Sequence, residues 1–147
     1  YAHQEKVLHL DIKPSNIMIN NVQQIKVLDF GISKMLDEVN DKMFVGSPYY
    51  MSPEQVAQSG VDKTSDIYSI GITFYQMVTG QLPFAKNMNK EQVFDKIKTG
   101  DLVKPTAKYP SLPKSIESLI LTATAVKKER RFRSCDDFQR SLNNTII

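Results

Sequence analysis

The sequence predicts a mainly α fold with one small β-hairpin near its start, and three observations carry that expectation. Two short apolar runs, NIMIN (Asn16 to Asn20) and QIKVLDF (Gln24 to Phe30), lie on either side of a polar NNVQ, the pattern of a tight hairpin. From Thr64, TSDIYSIGITFYQMVTG is a long apolar helix pattern, with Thr or Ser as N-cap candidates and Gly80 as its stop. Three further helical patterns follow, at about 89–99, 114–125 and 134–142.

Taken in order, the elements have different characters. After Gly31 a polar, weakly periodic segment runs to about Gly46 and reads as a surface loop, long enough to favour a functional role. GSPYYMSPEQ packs two prolines and two tyrosines into ten residues and is expected to be a rigid extended platform rather than a helix. In the central helix Ile67, Tyr68, Ile70, Ile72, Phe74, Tyr75, Met77 and Val78 surround the axis instead of forming a stripe, which puts that helix in the middle of a domain. The last helix opens with the capping arrangement Ser134 to Asp137.

At 147 residues, 41% hydrophobic and 24% charged, the chain suits one soluble domain with a real core. No run approaches the roughly 18 apolar residues of a membrane span, and the first residues lack a secretory layout, so an intracellular, cytoplasmic location without membrane contact is expected. One cysteine, Cys135, excludes an internal disulfide and a multi-cysteine zinc site, and is expected to be packed or capping. Residues 1–80 hold 6 Lys/Arg against 9 Asp/Glu, whereas residues 81–147 hold 13 against 7. These basic charges are spread along helices with no aromatic interleaving, which describes a solvated face and no nucleic-acid partner.

The strongest chemical signal is HLDIKPSN, His9 to Asn16. Transfer of a phosphoryl group to a hydroxyl needs a carboxylate near the nucleophile, a cation on the migrating group and an oxygen ligand for a metal. Asp11, Lys13 and Asn16 supply these three. Composition alone would equally suit a turn rich in Asp, Pro, Ser and Asn. A second motif decides between them: LDFG, with Asp29 ending an apolar strand and Gly31 free to take backbone angles other residues avoid.

With these motifs in order, the chain resembles the eukaryotic-type serine/threonine protein kinases. His9 to Asn16 is similar to their catalytic loop, Asp29 to Gly31 to D-F-G, Ser52 to Glu54 to A-P-E, and Asp66 to Gly71 to the start of their central helix. The resemblance implies a kinase C-lobe over 1–147, with catalytic loop 9–16, activation segment 29–54 and helical subdomain 62–147, its hairpin carrying the catalytic and D-F-G loops. It implies ATP and magnesium as cofactors and protein substrates as partners. Asp11 and Lys13 would be catalytic; Lys13, Ser15, Asn16, Met18 and Asp29 would bind the nucleotide, with Asn16 and Asp29 ligating the metal. Ser47 would bridge Asp11 and Lys13 by its hydroxyl in the serine/threonine-specific manner, Glu54 and Arg131 would form a buried ion pair, and Asp66 would anchor catalytic-loop amides. His9 and Phe30 would stack in the core below.

Departures from the family pattern carry expectations too. Leu10 stands where an arginine usually precedes the catalytic aspartate, Ser33 is the one hydroxyl between Ile32 and Gly46, and no arginine precedes Arg130. A phosphate on the activation loop would lack its usual partner, so phosphorylation there is not expected to be the switch. Ser15 and Gln76, where acidic residues often select basic substrates, argue against such a preference. No glycine-rich phosphate loop or strand lysine occurs within the chain, so the N-lobe is expected to be missing in cis and residues 1–147 inactive alone. An apolar groove left by that lobe's helix would invite self-association. The alternative to an enzyme part is a kinase-derived binding module without catalysis.

Overall fold

The computed structural model describes residues 1–30, 34–35 and 47–146. Strand β1 (Val7–Leu8) pairs antiparallel with β4 (Lys34–Met35), and β2 (Ile17–Ile19) pairs antiparallel with β3 (Ile25–Val27), Met18 facing Lys26 across the ladder. The second pair is the hairpin expected from the two apolar runs. Its turn is closed by Asn20, whose Oδ1 accepts from the Val22 and Gln24 amides at 3.1 and 2.8 Å, the Asx arrangement that makes Asn a turn residue.

Helices make up the rest: α1 (Pro53–Ala57), α2 (Lys63–Thr79), α3 (Lys90–Thr99), α4 (Pro105–Lys108), α5 (Lys114–Ala123) and α6 (Cys135–Ile146). The extended platform expected from its prolines is instead partly helical. Pro48–Tyr50 is a 3-10 turn and Pro53 starts α1, because proline's fixed φ and missing N–H suit the first position of a helix. Ser52 and Gln55 complete α1 with a capping box. Asp62, rather than a Thr or Ser, caps α2, and Gly80 ends it with φ 70°, where a side chain would be strained.

Helix α2 is wrapped by two apolar clusters. Tyr68 and Ile72 pack with Met51, Val56, Phe84, Val93 and Ile97, while Ile67 packs with Leu119, Ala123 and Phe138. Each fully buried isoleucine contributes about 1.5–3 kcal/mol. Close approach of α2 to α5 depends on Gly71, where a Cβ would lie 2.8 Å from both Ala123 Cβ and Thr124 Cγ2. Between the hairpin, α2 and α6 runs an apolar groove of about 340 Å3, lined by Ile17, Ile25, Phe74, Met77, Phe138 and Leu142.

Candidate active site

Asp66, near the start of α2 and 1% exposed, fixes the segment that leads into the site. Its Oδ2 accepts from the His9 amide at 2.9 Å and its Oδ1 from the Leu10 amide at 2.8 Å, while His3 Nε2 lies 2.7 Å from Oδ2. Leu10 is held at φ 64°, a left-handed backbone that costs a non-glycine residue on the order of 1–3 kcal/mol. Gln55 of α1 helps to hold it there, donating from Nε2 to the Leu10 carbonyl at 3.1 Å.

The loop so anchored presents Asp11, buried at 8% exposure, to three partners. Lys13 Nζ lies 2.9 Å from Asp11 Oδ2, the Ser47 amide donates to Oδ1 at 2.8 Å, and Asn16 Nδ2 donates to the Asp11 carbonyl at 2.8 Å and to Oδ2 at 3.2 Å. Lys13 Nζ also donates to the Ser47 hydroxyl at 2.6 Å. Ser47 therefore meets Asp11 through its amide and Lys13 through its hydroxyl. Burial pushes the Asp11 carboxyl up, but the bonds from Lys13 and Ser47 and the Lys13 charge outweigh it and hold the group below its ordinary range. At neutral pH Asp11 is a carboxylate.

Asp29 is exposed, with φ 63°, and reaches this cluster through the backbone of its neighbour. The Leu28 amide donates to the Asn16 carbonyl at 2.7 Å, and the Leu28 carbonyl accepts from His9 Nε2 at 3.0 Å. His9 Nδ1 in turn accepts from the Asp11 amide at 3.2 Å, so the ring carries its proton on Nε2 and links residues 11 and 28. Phe30 meets the edge of that ring at a centroid distance of 4.7 Å, yet is 47% exposed rather than part of the core. Met18 and Ser15 are exposed, on β2 and in the 3-10 turn before it. Gln76 is engaged, accepting from the Tyr50 hydroxyl at 2.6 Å. Gly31 and Ser33 lie outside the described residues.

Below the platform, Arg131 pairs with Glu54 through two bonds, NH1 to Oε1 at 2.7 Å and NH2 to Oε2 at 2.8 Å. Its remaining donors reach the carbonyls of Ala125, Thr64 and Val126, so all five guanidinium N–H groups are used. The guanidinium also lies 5.1 Å from the Tyr68 ring centroid. Burial raises the Glu54 carboxyl, and Arg131 and the Ser65 hydroxyl more than reverse this, leaving it below its ordinary value.

Three contributors carry no signal in the sequence: His3, Gln55 and the Leu28 backbone. Each acts through a bond that joins residues 19 to 63 positions apart, which no local pattern reports. Cys135 is neither packed nor capping. It is exposed at the first residue of α6, where Ser134 Oγ makes the cap by accepting from the Asp137 amide at 3.1 Å.

The chain is 37% identical over 151 residues to the serine/threonine-protein kinase PrkC of Bacillus subtilis, an alignment covering 99% of this chain and 23% of that kinase. Against PknB of Mycobacterium tuberculosis it is 30% identical over 147 residues, 97% of this chain and 23% of the relative. Pkn1 of Myxococcus xanthus is 37% identical over 152 residues, covering 96% of this chain and 21% of the relative. The chain thus spans under a quarter of the length of these curated relatives. A family model described as the protein kinase domain matches residues 1–141. With that match running through nearly all of its residues, the chain belongs to the protein kinase domain family.

Proposed function

We propose that these residues are the catalytic lobe of a serine/threonine protein kinase, with catalytic loop 9–16, activation segment 29–54 and helical subdomain 62–147, acting on hydroxyls of protein substrates. The observation that carries this reading is the Asp11 carboxylate, buried, kept ionised and held between Lys13, Asn16 and Ser47. Asp11 accepts the hydrogen bond of the substrate hydroxyl, orients it and takes its proton. Lys13 turns its ammonium to the phosphoryl oxygens. Because Asn16 Nδ2 is committed to Asp11, its Oδ1 is the atom left for a divalent ion, and the Asp29 carboxylate is the second ligand.

Asn16 and Asp29 fit magnesium in kind, both being hard oxygen donors. That ion is commonly held by one or two carboxylates together with substrate phosphates rather than by a protein cage. Magnesium with ATP supplies the phosphoryl group and neutralises its charge. Ser15 and Met18 line the nucleotide side. Lys13 two residues after Asp11, together with Ser47 and the similarity to the serine/threonine-protein kinases PrkC and PknB, supports hydroxyls of serine and threonine as acceptors.

The residues that would cover the nucleotide's phosphates come from outside positions 1–147, so a polypeptide of these residues alone has negligible kinase activity. The exposed apolar groove gives that polypeptide a route to self-association. In the full-length protein, which we place in the cytoplasm, Asp11→Asn should lower kcat for a serine peptide by roughly 10²–10⁴-fold with little change in the KM for ATP. Full activity in that variant would sink the assignment. Calorimetry of residues 1–147 with magnesium and ATP should give weak or undetectable binding.

A further inference from the structure

The peptide unit that leads into Asp11 is held from more than one side. Leu10 and Asp11 share one planar amide, so fixing its carbonyl and its N–H fixes the direction in which the Asp11 side chain leaves the backbone. The N–H belongs to Asp11 and donates to His9 Nδ1 at 3.2 Å. The carbonyl belongs to Leu10 and accepts from Gln55 Nε2 at 3.1 Å. One atom group back, the Leu10 N–H donates to Asp66 Oδ1 at 2.8 Å. The left-handed φ of 64° at Leu10 drives this peptide toward relaxation, and these bonds oppose it.

Gln55 differs from His9 and Asp66 in what lies at its other end. Its Oε1 accepts from the Ser52 amide at 3.1 Å, and its own backbone amide donates to Ser52 Oγ at 3.3 Å, the capping box that opens α1. The side-chain amide is therefore fixed end for end, because oxygen must face the Ser52 N–H and nitrogen the Leu10 carbonyl. Gln55 and Ser52 are buried, at 5% and 0% exposure, and the adjacent Glu54 ties α1 to Arg131. A displacement of the platform at Ser52 is thus passed through one side chain to the peptide before Asp11.

We propose that Gln55 is a positioning residue for phosphoryl transfer, through which the platform sets the Asp11 carboxylate; the role rests on the kinase reading above. Gln55 acts through the Leu10–Asp11 peptide and not on the substrate itself. What it governs is the alignment of Asp11 with the acceptor hydroxyl, where a misplacement of about 1 Å costs on the order of 100-fold in rate. Loss of its bond to Leu10 therefore lowers kcat and leaves the KM for ATP in place.

The test compares variants of the full-length protein on a serine peptide with magnesium and ATP. Gln55→Leu keeps most of the volume and removes the donor at every pH, so kcat should fall by about tenfold or more while the KM for ATP is unchanged. Gln55→Glu keeps the capping box, which Glu completes as well as Gln, but its carboxylate cannot donate to the Leu10 carbonyl. Burial beside a carbonyl raises the pKa of such a carboxyl, and once protonated it is a donor again. The kcat of Gln55→Glu relative to the parent should therefore be low at about pH 8.5 and recover toward about pH 6. A role confined to capping or packing gives no such recovery, and this ratio decides the matter even if Gln55→Leu loses activity by unfolding. Both variants matching the parent's kcat across that range overturn the proposal, as does a Gln55→Glu deficit that stays constant with pH. A parent protein that transfers no phosphoryl group to serine or threonine peptides counts against the kinase reading itself, and the proposal falls with it.

Discussion

Replacing Arg131 by Met isolates the pair that joins the platform to the last helices. The substitution keeps most of the side-chain volume, so little of its effect is a cavity. What it removes is five hydrogen bonds from a side chain with no exposure, leaving Glu54, itself only 10% exposed, with the Ser65 hydroxyl as its donor. Breaking one side of such a buried pair costs about 3–5 kcal/mol, a large share of the roughly 5–15 kcal/mol that a domain has. With a urea slope of about 2 kcal/mol per molar, the unfolding midpoint should fall by about 2 M. Acid unfolding supplies an independent reading. Glu54 has a folded-state pKa below its ordinary 4.5, so its contribution is present above that value and is lost as pH falls through the folded one. Arg131→Met should remove that part of the acid limb as well. A loss under about 1 kcal/mol in urea, with an unchanged acid limb, would refute the reasoning from buried charge.

Asp66→Asn leaves one oxygen where two accept backbone amides and should cost about 1–3 kcal/mol, lowering the midpoint of thermal unfolding by several degrees; an unchanged midpoint would contradict the anchoring role. Gly71→Ala forces a Cβ to within 2.8 Å of Ala123 and Thr124 and should destabilise by about 1–3 kcal/mol in the same assay, a neutral result showing that α2 and α5 can separate freely. His3, raised from 6.5 to about 9, contributes stability that is complete below 6.5 and fades as pH climbs toward about 9. Urea midpoints measured across that window should fall in the parent and stay flatter in His3→Gln.

The elements were legible wherever the pattern was local. Two apolar runs around a polar turn mark the hairpin, and Gly80 and Ser134 mark helix ends by their own chemistry. Helix α1 is hidden in a proline-rich pattern that suggests extended chain, yet Pro53 stands at the first helical position, where its lost N–H has no intrahelical partner to forfeit. The pairing of β1 with β4 could not be read from two-residue strands 27 positions apart. In the candidate site, Asp11, Lys13, Asn16, Ser47, Glu54 and Asp66 stand in or beside motifs, whereas His3, Gln55 and the Leu28 backbone do not. Gln55 is an ordinary polar residue in sequence and becomes structural only once folding brings the Leu10 carbonyl to it.

Ser47 touches both members of an opposite-charge couple, amide to Asp11 and hydroxyl to Lys13. A residue gripped in that way works as a latch with two catches: it seats when both charges stand in place, and neutralising either one frees half of its hold. Neutralising Asp11 or Lys13 therefore also loosens the seat of the Pro48–Tyr50 turn that follows, so a change of charge in the loop is felt in the placement of the platform.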